Sequence, residues 1–364
     1  MVDPLSCKQR TSGPESWHLP NSKDSHKESQ MKAAWYTKNG AARDVLVVGE
    51  LPTPVPGPGE VLVKIYRSGI NPSDVKSRKG RPLNSELIVP HSDGGGVIHA
   101  VGKGVSQEKV GQLVWLWNGQ WQRPMGTAAE FIALPQAQAV ELPPGVDFEV
   151  AACLGIPVLT ALQAVRLAGP MRGKTVLVTG AGNVVGNYIT QLAVHGGATV
   201  IGTAGSAQRK SHASEAGASH VLNYKSEPLA QRIKQITDGH GVDTILDMDF
   251  SSMAGLIGQG VLKAHGTLVT YGSNSVDAIP IDFRAMLFGS FGIKAFLVYD
   301  LQSADREIIT AELTALLELK SLVHKVGATY SLDEIAMAHE AVETGASIGS
   351  TQIVMPSASC RAAI

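Results

Sequence analysis

Residues 175–186 read Thr-Val-Leu-Val-Thr-Gly-Ala-Gly-Asn-Val-Val-Gly, an apolar run that passes into a glycine-rich turn and then into a helical pattern. Small residues at such a turn let the backbone N–H groups of a helix N-terminus approach a phosphate, where the helix dipole favours negative charge. The glycines are spaced Gly180-x-Gly182-x-x-x-Gly186 and so depart from the GxGxxG pattern. A turn that is glycine-rich for packing alone is the alternative to a dinucleotide site.

The sequence after Ala151 alternates as expected for a parallel, doubly wound sheet. Apolar residues first follow helical spacing, and short apolar runs then alternate with amphipathic helices. Six strands would match the two mononucleotide-binding halves of a dinucleotide-binding domain. The tail is expected to return to the first domain. Strands are predicted at 175–179, 199–203, 220–223, 242–247, 267–271 and 291–298, a helix at 304–322 and a last strand at 348–355.

A smaller β-rich domain precedes this region. Between residues 45 and 140, short β-type runs such as 61–66 and 113–116 are broken by Gly and Pro. The 364 residues exceed the length of about 250 to 300 at which a single core usually stops growing. We predict a disordered leader at 1–30, a substrate domain at 31–155 that is completed by 299–364, and a cofactor domain at 156–298.

Composition excludes several classes of protein. Apolar residues make up 44% of the chain and charged residues 17%, which is typical of a globular protein. The formal net charge is −1 and no dense basic block occurs, so neither nucleic acid nor an anionic membrane is an expected partner. Cys7, Cys153 and Cys360 are too far apart for a disulfide framework or a zinc cluster. With neither a signal peptide nor a run of about 20 apolar residues, we expect a cytoplasmic location.

The end of the second strand of the cofactor domain indicates which dinucleotide binds. NAD sites carry an acidic residue about 20 residues past the first glycine, and none is present here. Ser206, Arg209 and Lys210 instead offer a hydroxyl group and two cations to a 2′-phosphate, and Tyr224 ends the third strand nearby. NADPH is therefore the expected cofactor. An ordinary solvated helix face is the alternative for Arg209 and Lys210.

Several spaced motifs together resemble one family. Asn71-Pro72-Ser73-Asp74, the stretch 90–97 (Pro-His-Ser-Asp-Gly-Gly-Gly-Val), the stretch 126–131 (Gly-Thr-Ala-Ala-Glu-Phe) and the glycine turn look like the quinone oxidoreductase and zeta-crystallin branch of the zinc-independent medium-chain dehydrogenases/reductases. The resemblance implies an α/β fold, with a GroES-like β-rich domain and a Rossmann doubly wound parallel sheet. Two departures are Asn183-Val184 in place of paired glycines, and Lys76 where some relatives have tyrosine.

The resemblance also implies roles for individual residues. Asn71 and Thr160 would face the nicotinamide, although Thr160 could simply cap or pack a helix, and Phe296 could be a core residue. Pyrophosphate would be held by Gly182, Asn183, Val184 and Val185, the adenosine phosphate by Gly205, Arg209 and Tyr224, and the nicotinamide ribose and carboxamide side by Ser251, Gly272, Ser273, Phe296 and Leu297.

The loop 116–125 suits a flat carbonyl compound, because it combines three amide side chains, two indoles and a guanidinium. We expect Asn71, Lys76, Asn118, Gln122 and Arg123 to line the substrate pocket, with an exposed loop as the alternative. Hydride transfer needs orientation rather than a nucleophile, and the sequence assigns no catalytic acid.

The activity predicted from these observations is NADPH-dependent reduction of a quinone without zinc. An enone, with its activated C=C bond, would need the same cofactor and cleft. An NADPH-binding crystallin-like or RNA-binding protein is an alternative of another class. Asn71 to Asp74 and Ser92 replace the cysteine and histidine ligands that zinc would need, and no cysteine cluster occurs. A homodimer is expected through the sheet edge near 281–298, since open edges are usually covered.

Overall fold

The computed structural model describes residues 29–356, which form two large sheets and a two-stranded ribbon. The strands are β1 (Gln30–Trp35), β2 (Val47–Pro52), β3 (Glu60–Ile70), β4 (Asp93–Val101), β5 (Leu113–Leu116), β6 (Phe131–Pro135), β7 (Ala139–Glu141), β8 (Thr175–Val178), β9 (Thr199–Ala204), β10 (His220–Asn223), β11 (Val242–Asp247), β12 (Leu262–Thr270), β13 (Gly292–Ala295), β14 (Val326–Ser331) and β15 (Ser350–Val354). The predicted leader lies outside the described residues, apart from its last two positions.

Helices cover the sheets and connect the strands. They are α1 (Ala42–Val45), α2 (Pro72–Gly80), α3 (Phe148–Ala151), α4 (Leu159–Ala168), α5 (Val184–His195), α6 (Ala207–Glu215), α7 (Leu229–Ile236), α8 (Phe250–Met253), α9 (Phe283–Gly289), α10 (Ser303–Glu318) and α11 (Ile335–Thr344). A buried π-helical turn, Leu154–Val158, leads into α4. Within residues 29–356, no helix is both long and apolar enough to cross a bilayer.

The second sheet is parallel, with strand order β10-β9-β8-β11-β12-β13. Numbered by their order along the chain, its strands lie 3-2-1-4-5-6, which is the doubly wound arrangement and confirms the predicted Rossmann fold. The three central residues of the apolar run, Val176, Leu177 and Val178, are fully buried because helices cover both faces of the sheet. All six predicted strands are present, although β12 begins at Leu262, earlier than expected.

The first sheet is built around β3. β3 pairs antiparallel with β4, β6 and β15, and the path runs β14-β15-β3-β4-β5-β7. Its core contains Val61, Val63 and Ile65 on one side of β3, with Leu332 and Ile353 from the C-terminal segment. The chain returns to this sheet at β14, later than the expected residue 299, because α10 packs against α4 in the core of the parallel sheet.

Candidate functional site

The crevice of a doubly wound sheet opens at the carboxyl ends of the two strands where the strand order reverses, here β8 and β11. Thr179 directly follows β8 and Asp247 ends β11, and the Thr179 hydroxyl donates to the Asp247 carboxylate over 2.8 Å. The Thr270 hydroxyl donates to the other carboxylate oxygen over 3.1 Å. Burial raises the pKa of Asp247 to about 6 despite these bonds. The sequence analysis did not single out this carboxyl group, because an aspartate that ends a strand has no local signature.

The glycine-rich turn follows β8 directly. Gly180 has φ +63°, a left-handed conformation that favours glycine, and its N–H donates to the Thr203 hydroxyl. Asn183 is the N-cap of α5, so the first N–H groups of this helix have no partner within the helix. Gly182 is buried, whereas Val184 and Val185 are half-buried. These features fit a pyrophosphate held by backbone N–H groups.

Arg209 is anchored to the turn rather than free. Its guanidinium donates to the carbonyl oxygens of Gly182, Gly345 and Ser347 and to the side-chain oxygen of Asn183. A Cβ at Gly182 would lie 2.3 Å from the Arg209 carbonyl oxygen, so this contact requires glycine. Arg209 thus ties the glycine turn to the segment between α11 and β15.

The expected adenosine end lies around the end of β9. The Tyr224 ring packs directly on Gly205 and is 52% exposed. Ser206 is the N-cap of α6, and its hydroxyl accepts from the Arg209 N–H over 3.3 Å. The Lys210 side chain is exposed and forms neither a hydrogen bond nor a close ion pair within residues 29–356, although its charge lowers the pKa of Glu227. A cation, a hydroxyl group and an exposed ring therefore lie near the end of β9, where a carboxylate would favour NAD.

At the expected nicotinamide end, buried amide and carboxyl groups replace metal ligands. The Asn71 side chain donates to the Asp93 carboxylate over 2.7 Å, and both residues are buried. Burial raises the pKa of Asp93 well above its usual value. The Thr160 hydroxyl donates to the Ile156 carbonyl inside its own helical segment, as expected of a residue that packs a helix. No group of three or more His, Cys, Asp or Glu in residues 29–356 is arranged to hold a metal ion.

Lys76 bridges the two domains across the cleft. Its ammonium group donates to the Ser273 carbonyl over 3.2 Å and to the Asn274 side-chain oxygen over 3.4 Å. Asn274 in turn donates through its backbone N–H and its side chain to Asp249. The Ser251 hydroxyl donates to the same carboxylate. These bonds hold together the loops that follow β11 and β12, where the nicotinamide ribose is expected.

The remaining residues expected on this side lie close to the same loops. Gly272 follows β12 and approaches the Met248 carbonyl. The half-buried Phe296 ring lies 6.2 Å from the Tyr271 ring between centroids, and Leu297 is 48% exposed. These residues follow the carboxyl ends of β12 and β13, beside the loop that follows β11.

Tyr299 organises the substrate side of the cleft. Its hydroxyl lies 2.8 Å from the Ser73 hydroxyl, and its ring stacks on Trp121 with centroids 4.7 Å apart. The Asn118 side chain donates to the Tyr299 carbonyl over 2.7 Å and is itself buried. Asn118 therefore holds the backbone of Tyr299.

A pocket of about 190 Å³ lies beside this cluster, and its lining includes Trp121, Gln122, Ser77 and Arg81. The Arg123 guanidinium does not line it, because it donates to the Gln138 side chain instead. The cation of the pocket is therefore Arg81, which the sequence analysis missed because nothing in the residues around it marks it as a ligand.

A buried polar chain supports the floor of the site from behind. The Thr127 hydroxyl donates its single hydrogen to the Asp93 carbonyl. Thr127 must therefore accept from the Ser68 hydroxyl, and Ser68 in turn accepts from His91 Nδ1. His91 Nε2 then accepts from His339 Nε2 over 2.9 Å. Burial lowers the pKa of both imidazoles, that of His339 to about 3, so both rings are neutral at pH 7.

Comparisons with known proteins agree with this geometry. Residues 57–144 match the family described as alcohol dehydrogenase GroES-like domain, and residues 184–319 match that described as zinc-binding dehydrogenase. The quinone oxidoreductase of Rattus norvegicus is 30% identical over 320 residues, which cover 85% of this chain and 93% of the relative. That of Homo sapiens is 28% identical over 335 residues, covering 89% and 98%.

A solved mycobacterial structure, described as complexed with NADPH, superimposes with a TM-score of 0.79 at 29% identity, covering 89% of this chain and 99% of that one. The chain belongs to the medium-chain dehydrogenase/reductase family. Its relatives place it in the quinone oxidoreductase branch of that family, and it is an oxidoreductase.

Proposed function

We propose that this oxidoreductase uses NADPH to reduce quinones by hydride transfer, without zinc. When bound, NADPH supplies a hydride, and the balanced reaction consumes one proton: quinone, NADPH and H⁺ give hydroquinone and NADP⁺. The observation that carries the proposal is the pair of groups at the two ends of the crevice. Lys210, Ser206 and Tyr224 lie at one end, and the Asn71–Asp93 pair lies at the other.

The adenosine end supports NADPH over NADH. The Lys210 ammonium and the Ser206 hydroxyl could both donate hydrogen bonds to a 2′-phosphate. No carboxylate at the end of β9 would repel this phosphate. The similar mycobacterial structure that is complexed with NADPH supports the same choice.

The nicotinamide end supports chemistry in which the protein orients the acceptor and excludes water. Asn71 and Ser92 stand at the two positions where a zinc site would need a cysteine thiolate and a histidine imidazole. Asn71 is held by Asp93, and Lys76 links the loops on both sides of the cleft. The proton that completes the hydroquinone comes from water in this proposal.

Steady-state oxidation of NADPH against ortho-quinones, para-quinones and enones tests the proposal. We expect quinones to give the highest kcat/KM, with NADPH preferred over NADH. If enones are turned over faster than quinones, the substrate is an enone instead of a quinone. If NADPH binds tightly but no acceptor is reduced, the chain is an NADPH-binding protein and not a reductase.

The proposed enzyme is a homodimer joined along β13. This strand is the edge of the parallel sheet, and unpaired edges are usually covered. Next to it, α9 exposes three large apolar side chains: Phe283 (70% exposed), Leu287 (62%) and Phe288 (74%). Contact with a second copy of the chain would pair the open edge of β13 and bury the apolar side chains of α9.

A further inference from the structure

The pocket beside Tyr299 lies along one face of α2. Ser73 and Ser77 lie one turn apart on the same side of α2, and Arg81 is the C-cap residue, whose N–H donates to the Ser77 carbonyl. Ser73 contacts Tyr299 at the cleft, whereas Ser77 and Arg81 line the pocket. Eight residues of helix span about 12 Å. A ligand group at Arg81 would therefore lie far from one at Ser73.

Arg81 differs from the two cations that precede it. Arg78 and Lys79 both pair with Glu343, and Arg78 also donates to the Gly40 carbonyl. The Arg81 guanidinium has neither an ion pair nor a side-chain hydrogen bond within residues 29–356. It is exposed and lines the pocket, so its charge is available to a ligand.

The other polar groups of the pocket complement an anion. Tyr36 and Ser77 carry hydroxyl groups and Asn84 and Gln122 carry amides, all of which can donate, whereas the Gln120 side chain donates to the Arg123 carbonyl. No lining residue carries a carboxylate. The Asp74 carboxyl is buried, accepts from the Asn71 N–H and does not line the pocket. Asp74 does interact electrostatically with Arg81, but burial raises the pKa of this carboxyl to about 7, which favours its neutral form. A negatively charged substituent would therefore meet no carboxylate among the lining residues.

The apolar walls and the size limit the rest of the ligand. The Trp121 indole offers a flat face on which a ring can stack, and Leu83 and Ile88 add apolar contact. The volume of about 190 Å³ is below the roughly 300 to 1,000 Å³ of pockets that hold drug-sized ligands. One ring with a short substituent fits this space better than a fused polycyclic quinone or a long isoprenoid tail.

We propose that the preferred acceptor is a one-ring quinone that carries a carboxylate, and that Arg81 binds this carboxylate in the pocket. The inference rests on the proposed quinone reduction and adds the class of its substrate. It makes Arg81 a specificity residue that acts on acceptor binding rather than on the hydride.

The test compares 1,4-benzoquinone-2-acetate with its methyl ester under saturating NADPH. We expect the native enzyme to favour the acid in kcat/KM. Arg81→Gln should lower kcat/KM for the acid by about 10-fold to 100-fold, the range for loss of a hydrogen bond to a charged group, and leave the ester nearly unchanged. The effect should fall on KM rather than kcat. Taking the acid-to-ester ratio for each variant cancels the difference in reactivity between the two quinones.

Lys79→Gln is the matched control, since it removes a neighbouring cation that pairs with Glu343 and does not line the pocket. An acid-to-ester ratio that survives Arg81→Gln, or that Lys79→Gln lowers equally, overturns the inference while quinone reduction stands.

A binding measurement separates failure of the inference from failure of the proposed function. Calorimetry with phenylacetate and phenylacetamide, in the presence of NADP⁺, needs no turnover. Even if no quinone is reduced, the anion site is supported when phenylacetate binds to the native chain and does not bind to the Arg81→Gln variant. Equal binding of acid and amide overturns it.

Discussion

Replacement of Lys210 by alanine should reduce the preference for NADPH over NADH. The ammonium group is exposed and forms neither a hydrogen bond nor a close ion pair within residues 29–356, and its electrostatic attraction to Glu227 leaves it able to bind a 2′-phosphate. A hydrogen bond to a charged group contributes about 1.5 to 3 kcal/mol, and exposure puts this contact near the lower limit. Since 1.4 kcal/mol is tenfold in affinity, NADPH should bind about tenfold more weakly, with NADH unchanged.

Arg209→Ala should behave differently, although the resemblance implies that Arg209 binds the adenosine phosphate. Its guanidinium already donates to Gly182, Asn183, Gly345 and Ser347, so the side chain positions the glycine turn that both cofactors use. We expect Arg209→Ala to weaken the binding of NADPH and of NADH by similar factors. It should also lower the midpoint of thermal unfolding, because the glycine turn loses its hydrogen bonds to the C-terminal segment.

Fluorescence titration of both cofactors, with the native chain, Lys210→Ala and Arg209→Ala, measures these effects without an acceptor. The quantity of interest is the ratio of the two dissociation constants for each variant. If Arg209→Ala lowers this ratio and Lys210→Ala does not, the guanidinium leaves its carbonyl partners for the phosphate, and the reasoning from these contacts is refuted.

Three further outcomes are expected. Phe288→Asp should convert the dimer to a monomer in sedimentation, because it places a charge in the exposed apolar surface of α9; a native chain that is already monomeric at micromolar concentration would contradict this. Asp247 has a folded pKa of about 6 against an ordinary 3.8, so the folded state retains a proton that the unfolded state releases, and the contribution of Asp247 to stability should fall by up to about 3 kcal/mol as pH rises from 3.8 to 6. Denaturant unfolding of the native chain and of Asp247→Asn at each pH measures this contribution as the difference between their stabilities, and a difference that does not fall over this window would refute the assignment. Purified enzyme should keep its activity after chelation and contain no stoichiometric zinc by atomic emission, and loss of activity restored by zinc would overturn the proposal.

The sequence alone determined those features that depend on local pattern. The strand 175–178, its glycine turn and the following helix are adjacent in the chain, so period and composition were sufficient to place them. The six parallel strands followed from the same alternation, because short buried runs between amphipathic helices are typical of a parallel sheet with helices on its faces. The missing acidic residue after β9 is equally local, and it pointed to NADPH without any knowledge of distances.

The tertiary structure decided which side chains are free and which are already paired. Arg209 meets carbonyls 136 and 138 residues away, and His91 meets His339 across 248 residues, so neither partner leaves a trace in the nearby sequence. Arg78, Lys79 and Arg81 look alike in the sequence, yet Glu343 pairs with the first two and leaves the third facing a pocket. Local patterns fix elements because neighbouring residues share a backbone, whereas the charge left available to a ligand depends on every long-range contact that the fold makes.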